Sequence, residues 1–208
     1  MQNAKEAVQL LVEQDYQVAL EQASHINLYN EARKDLDRQM TEQATEQVSQ
    51  MQGLEERRAI VVYNEVWHKG IIGIVASRVT EQYYRPAVVL TRTGDMATGS
   101  ARSVTGFDVY KAIQSCVDLL ENFGGHPYAA GLTLPAENVP EFTRRFEAYV
   151  ADHILDEQTQ ATLDITAVLD FQDVNFEFYQ QLRKFAPFGP CNERPLFCTH
   201  RVYDYGTS

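Results

Sequence analysis

Apolar residues recur at spacings of three and four early in the chain: Ala19, Ala23, Ile26, Tyr29, Ala32, Leu36, Met40, Ala44 and Val48 draw one stripe. They lie within a stretch, Ala4 to Gln52, that contains no glycine and no proline. That period puts them on one helical face, and the surrounding Ala, Glu, Gln, Leu and Arg are strong helix formers. Asp15 supplies an N-cap and Gly53 a stop, which predicts one helix of about 36 residues and about 54 Å. Such a helix is longer than a small domain is wide, so it is expected to connect two bodies. A coiled coil is the alternative, but the stripe is rich in alanine and lacks a Leu/Ile seam.

Past Gly53 the pattern changes to short β-rich runs alternating with helical ones, the mark of an α/β sandwich. Ala59–Tyr63 and Ala87–Thr91 read as buried strands, with a helix from Gly70 to Tyr83 between them that ends before Arg85-Pro86. Met96–Ser103 reads as a small-residue strand or turn, Asp108–Leu120 as a helix, Ala129–Leu134 as a strand and Glu137–Ile154 as an amphipathic helix. Further on, strand-like alternation at Leu163–Phe171, a short helix near Phe176–Phe185 and a strand at Leu196–Tyr205 give a β-rich, OB-like piece. Nothing closes that piece, so it is expected to be truncated. The expected division is a helical connector (1–53), an α/β domain with a mixed sheet (54–156) and the start of a further domain (157–208).

Composition narrows the function classes. No apolar run approaches the roughly 20 residues of a membrane span, and the N-terminus lacks a signal-peptide layout, so a cytoplasmic location without membrane contact is expected. Cys116, Cys191 and Cys198 show no CxxC spacing and read as reduced. The net charge of −11 argues at first against a polyanionic partner. Its distribution reverses that: residues 1–58 carry −5, residues 59–135 carry 0 and residues 136–208 carry −6. Only the middle of the chain does not repel phosphate.

Three strings in that middle carry candidate chemistry. In Trp67–Arg78 (WHKGIIGIVASR), Gly70, Gly73 and Ser77 share a helical face without bulk, fit for close packing or for presenting N–H groups near Lys69–Gly70 to an anion. In Thr98–Ser103 (TGSARS), Arg102 stands among small residues from which a guanidinium fork reaches a phosphate, unless a carboxylate neutralises it. In Phe123–Gly131 (FGGHPYAAG), Gly124 and Gly125 free the backbone for close approach and place His126 on a turn. One hydrogen bond would fix the His126 ring there; the alternative is an idle, exposed histidine. His25, His68, His126, His153 and His200 are scattered, and no H-x-x-x-H, G-x-S-x-G or Walker A string occurs, so no self-contained active site and no metal site is expected.

In this order the strings W-H-x-G-x-I-G-I-V-A-S-R, G-S-x-R-S and F-G-G-H-x-x-A-A-G-L resemble the DHH-associated domain of bacterial RecJ-type exonucleases. Leu28-Tyr29-Asn30-Glu31-Ala32-Arg33 resembles the family's connector helix. Ala186-Pro187-Phe188-Gly189, with Asn192 and Pro195, resembles its A-P-F-G-x-G-N-P-x-P segment, with Cys191 where glycine is usual and Glu193 where proline is usual. The resemblance runs from about Ala4 to Phe197. It implies the substrate-binding part of a 5′–3′ single-stranded-DNA exonuclease, whose DHH core in cis binds two Mn²⁺ or Mg²⁺ ions. This chain has no D-H-H string, so it is expected to bind no metal, to be inactive alone and to start at an unnatural Met1. Carried over by position, the resemblance implies that Gly99, Ser100, Arg102 and Ser103 hold backbone phosphates. Likewise Gly124, Gly125 and His126 would face the metals, with His126 catalytic, while Ser77 and Arg78 would bind substrate or buttress the sheet. Other readings are an oligoribonuclease or cyclic-dinucleotide phosphodiesterase of the DHH type, or a non-catalytic nucleotide-binding module.

Overall fold

Asp15 sets the start of the long helix. In the computed structural model, which describes residues 4–189 and 191–203, its carboxylate accepts from the backbone N–H of Gln17 (2.8 Å) and Val18 (3.1 Å). It thereby caps α2 (Tyr16–Ser49). A separate helix, α1 (Ala4–Val12), precedes it. The two do not run on because the Glu13 carboxylate takes the N–H groups of Gln14 and Asp15, a local bond that competes with the helical ladder. The stripe on α2 is buried only over its C-terminal half, at Met40, Ala44 and Val48, whereas Leu20, Leu28 and Tyr29 are exposed.

The chain packs as two compact units, Met1–Gln160 and Ala161–Ser208. The first is built on a five-stranded mixed sheet of β1 (Ile60–Asn64), β2 (Ala87–Thr93), β3 (Met96–Arg102), β4 (Asn122–His126) and β5 (Ala129–Pro135) in the order β1-β2-β3-β5-β4. β1 and β2 are parallel and the other pairs antiparallel. Period-two alternation sorts the side chains to two faces. One face sends Ile60, Val62, Ala87 and Val89 against α3 (Ile72–Tyr83) and the C-terminal half of α2. The other sends Val61, Val88, Leu90, Ala97, Ala101, Leu132 and Leu134 against α4 (Val109–Gln114) and α5 (Val139–His153), where Phe142 and Phe146 stack. Cys116 is buried in this second core, and all three cysteines are free.

Several boundaries differ from the sequence expectation for identifiable reasons. The helix expected over Asp108–Leu120 stops at Gln114, where the Ser115 hydroxyl donates back to the Ala112 carbonyl, and only a single tight turn follows at Val117–Leu119. α3 starts at Ile72 rather than Gly70, because His68 Nδ1 takes the Gly70 N–H (3.1 Å). Gly124 and Gly125 lie in an edge strand whose last residue is His126, which was expected on a turn.

In the second unit the expected strands shrink to two paired residues each, β6 (Ala167–Val168) parallel to β7 (Phe197–Cys198). Two strands without further ladder partners have little to lengthen them. Asp204 and Tyr205, the end of the last expected strand, lie outside the described residues. Between the strands sits α6 (Phe176–Arg183), capped by Asn175. Asn192 Nδ2 donates to the carbonyls of Phe185 (2.9 Å) and Pro187 (3.0 Å), which ties the A-P-F-G segment into a loop.

Candidate functional site

α3 covers β2 and β3 but leaves the same sheet face open over β5 and β4. Antiparallel register sets the residues of that open face in rows, since directly paired residues point the same way. Arg102 pairs with Ala129 and Ala129 with His126; Ser100 pairs with Gly131 and Gly131 with Gly124. The first row puts Arg102 and His126 two strand spacings apart, about 10 Å between Cα atoms. The second row is bare. A Cβ built on Gly124 would meet nothing within 4 Å, and one on Gly131 would meet only the Gly99 carbonyl at 3.9 Å. The result is a shallow floor of small residues with a guanidinium at one side and an imidazole at the other.

Arg102 is held by hydroxyls. Its Nε donates to Ser77 Oγ (3.1 Å), and its Nη1 donates to Ser100 Oγ (2.9 Å) and the Ala101 carbonyl (2.8 Å). Ser77 in turn donates to the Gly73 carbonyl of its own helix. Among the described residues Arg102 has no carboxylate partner, unlike Arg57, Arg78, Arg92, Arg144 and Arg145. Among the described residues its Nη2 has no hydrogen-bond partner, and it sits where a Cβ on Gly73 would approach to 3.1 Å, so glycine at 73 keeps that nitrogen clear. Burial lowers the Arg102 pKa from its usual value, without neutralising a group that stays protonated in proteins. A half-buried, uncompensated cation with a free N–H pair is poised for an oxyanion.

His126 ends β4 and is exposed. Its Nδ1 accepts from the Tyr128 N–H (3.3 Å), which fixes the ring and leaves Nε2 as the outward donor in the neutral form. The two glycines before it play different parts. Gly124 gives the open floor, whereas Gly125 (φ +149°) is demanded by the hairpin: a Cβ there would lie 2.3 Å from the Ala129 carbonyl and 2.5 Å from Ala130 Cα.

Besides Gly125, whose register places it with Ala130 on the opposite face, three carried-over positions do not reach this face. Arg78 binds Asp37 of α2 (2.7 Å), whose side chain is 5% exposed, so its charge is spent on holding the two helices together. Gly99 points to the opposite face, where a Cβ would lie 2.5 Å from Leu90 Cδ2 and 2.8 Å from Leu132 Cδ2. It is a packing glycine. Ser103 donates to the Phe107 carbonyl (2.7 Å) and closes the following loop. The anion role for Lys69–Gly70 also changes, since the Gly70 and Ile71 N–H groups are taken by His68.

Residues 56–152 match the DHHA1 domain family and residues 165–205 the RecJ OB domain family. The chain is 37% identical over 197 residues to the single-stranded-DNA-specific exonuclease RecJ of Bacillus subtilis, covering 94% of this chain and 25% of that protein. It is 30% identical to the corresponding RecJ of Thermus thermophilus, covering 93% and 27%. The chain belongs to the RecJ family. The crystal structures of RecJ from Thermus thermophilus in complex with Mg²⁺ and with Mn²⁺ superpose at TM-scores of 0.82 and 0.83 with 28% identity, over 93% and 94% of this chain and 30% and 28% of theirs. The chain thus spans between a quarter and a third of the length of these relatives.

All three strings fall inside the DHHA1 match, and the A-P-F-G segment falls inside the OB match. No helix among the described residues is long and apolar enough to cross a membrane. Among those residues no group of three or more His, Cys, Asp and Glu side chains is placed to hold a metal ion. The open face offers cationic and neutral donors, so the divalent ions of the Thermus structures do not fit this chain's own side chains. Gly131 stood in the third string without being assigned to the site, although its pairing follows once Ala129–Leu134 and Met96–Ser103 are aligned as neighbouring strands. Asp37 escaped the sequence reading, its only signal being an acid on the buried stripe one residue from Leu36.

Proposed function

We propose that this chain is the strand-holding wall of a single-stranded-DNA exonuclease, with residues 54–156 receiving the DNA backbone on the open face of their sheet. Residues 1–53 serve as the connector and 157–208 as an OB-like part. The observation that carries the reading is Arg102, a cation without a carboxylate partner among the described residues, set across a bare glycine floor from a fixed imidazole. Arg102 grips one phosphate. His126 donates Nε2–H to a non-bridging oxygen of the phosphodiester being cleaved, offsetting the charge that develops there. A single strand lies flat on so shallow a floor, and phosphate contacts fix its register without reading its bases. The reading also includes a metal-bearing DHH core in cis, using Mn²⁺ or Mg²⁺, since no cluster of His, Cys, Asp and Glu among the described residues is placed to hold a metal ion. The parent acts in the cytoplasm.

The test uses the full-length parent enzyme under single-turnover conditions. His126→Ala lowers the cleavage rate by roughly 10²–10³-fold with a much smaller loss of strand affinity. Arg102→Ala weakens single-strand binding by about 1.5–3 kcal/mol and lowers the salt slope by roughly one phosphate contact. A normal rate per folded molecule for His126→Ala ends its catalytic role. Unchanged binding with a lowered melting temperature makes Arg102 a structural residue.

A further inference from the structure

The open face carries a third row, one step beyond the glycine floor. Thr98 pairs with Thr133 and Thr133 with Asn122, so their side chains share the face that bears Arg102 and His126. Among the described residues none of these three side chains makes a hydrogen bond or ion pair within the protein, although Asn122 is exposed and both threonines are half-buried. The contrast is with Thr91, the neighbour of Thr98 in the same register. Thr91 is fully buried, and its Oγ1 donates to the Trp67 carbonyl (2.6 Å). That bond anchors the loop leading into α3 beside the row. Two residues on, the exposed Lys69 has no ion-pair partner among the described residues.

Taken together, the three rows alternate in chemistry: cation and imidazole, then bare backbone, then hydroxyl, hydroxyl and amide with a lysine at the margin. No carboxylate stands at any of their positions, and the last row holds no aromatic ring on which a base would stack. The outer rows are four residues apart along a strand, about 13 Å. Hydroxyl, amide and ammonium donors of this kind are the usual partners of phosphate and sugar oxygens.

We infer that Thr98, Thr133, Asn122 and Lys69 form a second subsite for the sugar-phosphate backbone, which holds the strand further along from the phosphate at Arg102 and His126. The inference rests on the open face being the strand-binding surface. It predicts that the chain grips one stretch of backbone at two points with an unobstructed floor between them. Only oligonucleotides long enough to reach both points feel the second.

The experiment titrates this chain into fluorescein-labelled single-stranded hexanucleotides and dinucleotides and follows anisotropy, with thermal melting of each variant as a check on folding. Thr98→Val/Thr133→Val keeps the β-branched shape and removes both hydroxyls, while Lys69→Gln removes the charge. Each is expected to weaken the hexanucleotide by about three- to tenfold, the scale of one lost hydrogen bond or more, and to leave the dinucleotide unchanged. Lys69→Gln also lowers the salt slope for the hexanucleotide by about one contact. Arg102→Ala weakens both lengths. An unchanged hexanucleotide affinity in both row variants, or an equal loss at both lengths, overturns the second subsite while Arg102→Ala still acts. If Arg102→Ala leaves both lengths untouched, the reading of the whole face falls first, and the subsite with it.

Discussion

The covered and open halves of one sheet face show how side-chain size records what is to lie against a strand. Over β1 and β2 the positions are Ile60, Val62, Ala87 and Val89, all 2% exposed or less, because α3 and α2 rest on them. Over β5 and β4 the equivalent positions are Ala129, Gly131, Thr133, Asn122, Gly124 and His126. One hydrogen-bonded sheet runs through both halves. What changes is that branched apolar groups, which need a protein partner to leave water, give way to small and polar ones that do not. The same division separates two arginines. Arg78, on the covered side, is neutralised by Asp37, whereas Arg102, at the boundary, is cradled by serines and left charged.

The strongest way to break this comparison is through the hairpin that shapes the open half. Gly125→Val places a Cβ against the Ala129 carbonyl in a conformation that L-residues rarely adopt, and it should cost about 3 kcal/mol or more in denaturant melts. Next comes the covered half. Arg78→Ala strands a carboxylate whose side chain is only 5% exposed, and we expect a loss of about 2 kcal/mol. That is less than the roughly 3–5 kcal/mol of a fully buried pair, because the Arg78 side chain is 45% exposed. Single-strand affinity per folded molecule should stay as it was. Reduced affinity in Arg78→Ala at full folding would instead place Arg78 in the binding surface.

Gly124→Ala sharpens the contrast between the two adjacent glycines. Its Cβ meets nothing within 4 Å, so stability should move by no more than about 0.5 kcal/mol. The new methyl rises from the floor on which the backbone rests, so single-strand binding should weaken while melting is preserved. A loss of stability matching that of Gly125→Val would show that both glycines serve the hairpin alone.

Much of the fold was legible because it depends on local period and capping: Asp15, the alternation in β3 and the apolar stripe of α5 each act within a few residues. The candidate face was legible in part. Arg102 and His126 could be singled out from their small neighbours, but the meaning of each glycine could not. Gly99 and Gly124 differ only in which face of the sheet they meet, and that is set by register across three strands. The fate of Arg78 was hidden for a similar reason, since its partner lies 41 residues earlier on another helix. In the second unit alternation overstated the strands, because pairing needs a neighbour as well as a pattern.

The smallest expected effect concerns the back of the domain, where arginines are abundant but committed. On α5, Glu141 accepts from Arg144 (2.7 and 2.9 Å) and from Arg145 Nε (2.7 Å), and Arg145 Nη1 also reaches Asp118 (2.8 Å). The bonds from Arg144 first, then those from Arg145, hold the Glu141 carboxyl down at about 2, against its usual 4.5. A carboxyl depressed in the folded state contributes stability that is complete above its unfolded pKa and disappears as pH falls through the folded one. The contribution is therefore lost between about 4.5 and about 2. Because these side chains are solvated, the effect is small and screened by salt. Glu141→Gln should lower the melting temperature slightly at neutral pH and low salt, and the gap from the unmodified chain should close as the pH approaches 2. It should also leave binding at the open face unchanged, since Arg144 and Arg145 lie behind the sheet. A gap that persists at the acid limit would assign the loss to packing of α5, and a gain in strand affinity would show that any freed arginine on this domain captures phosphate.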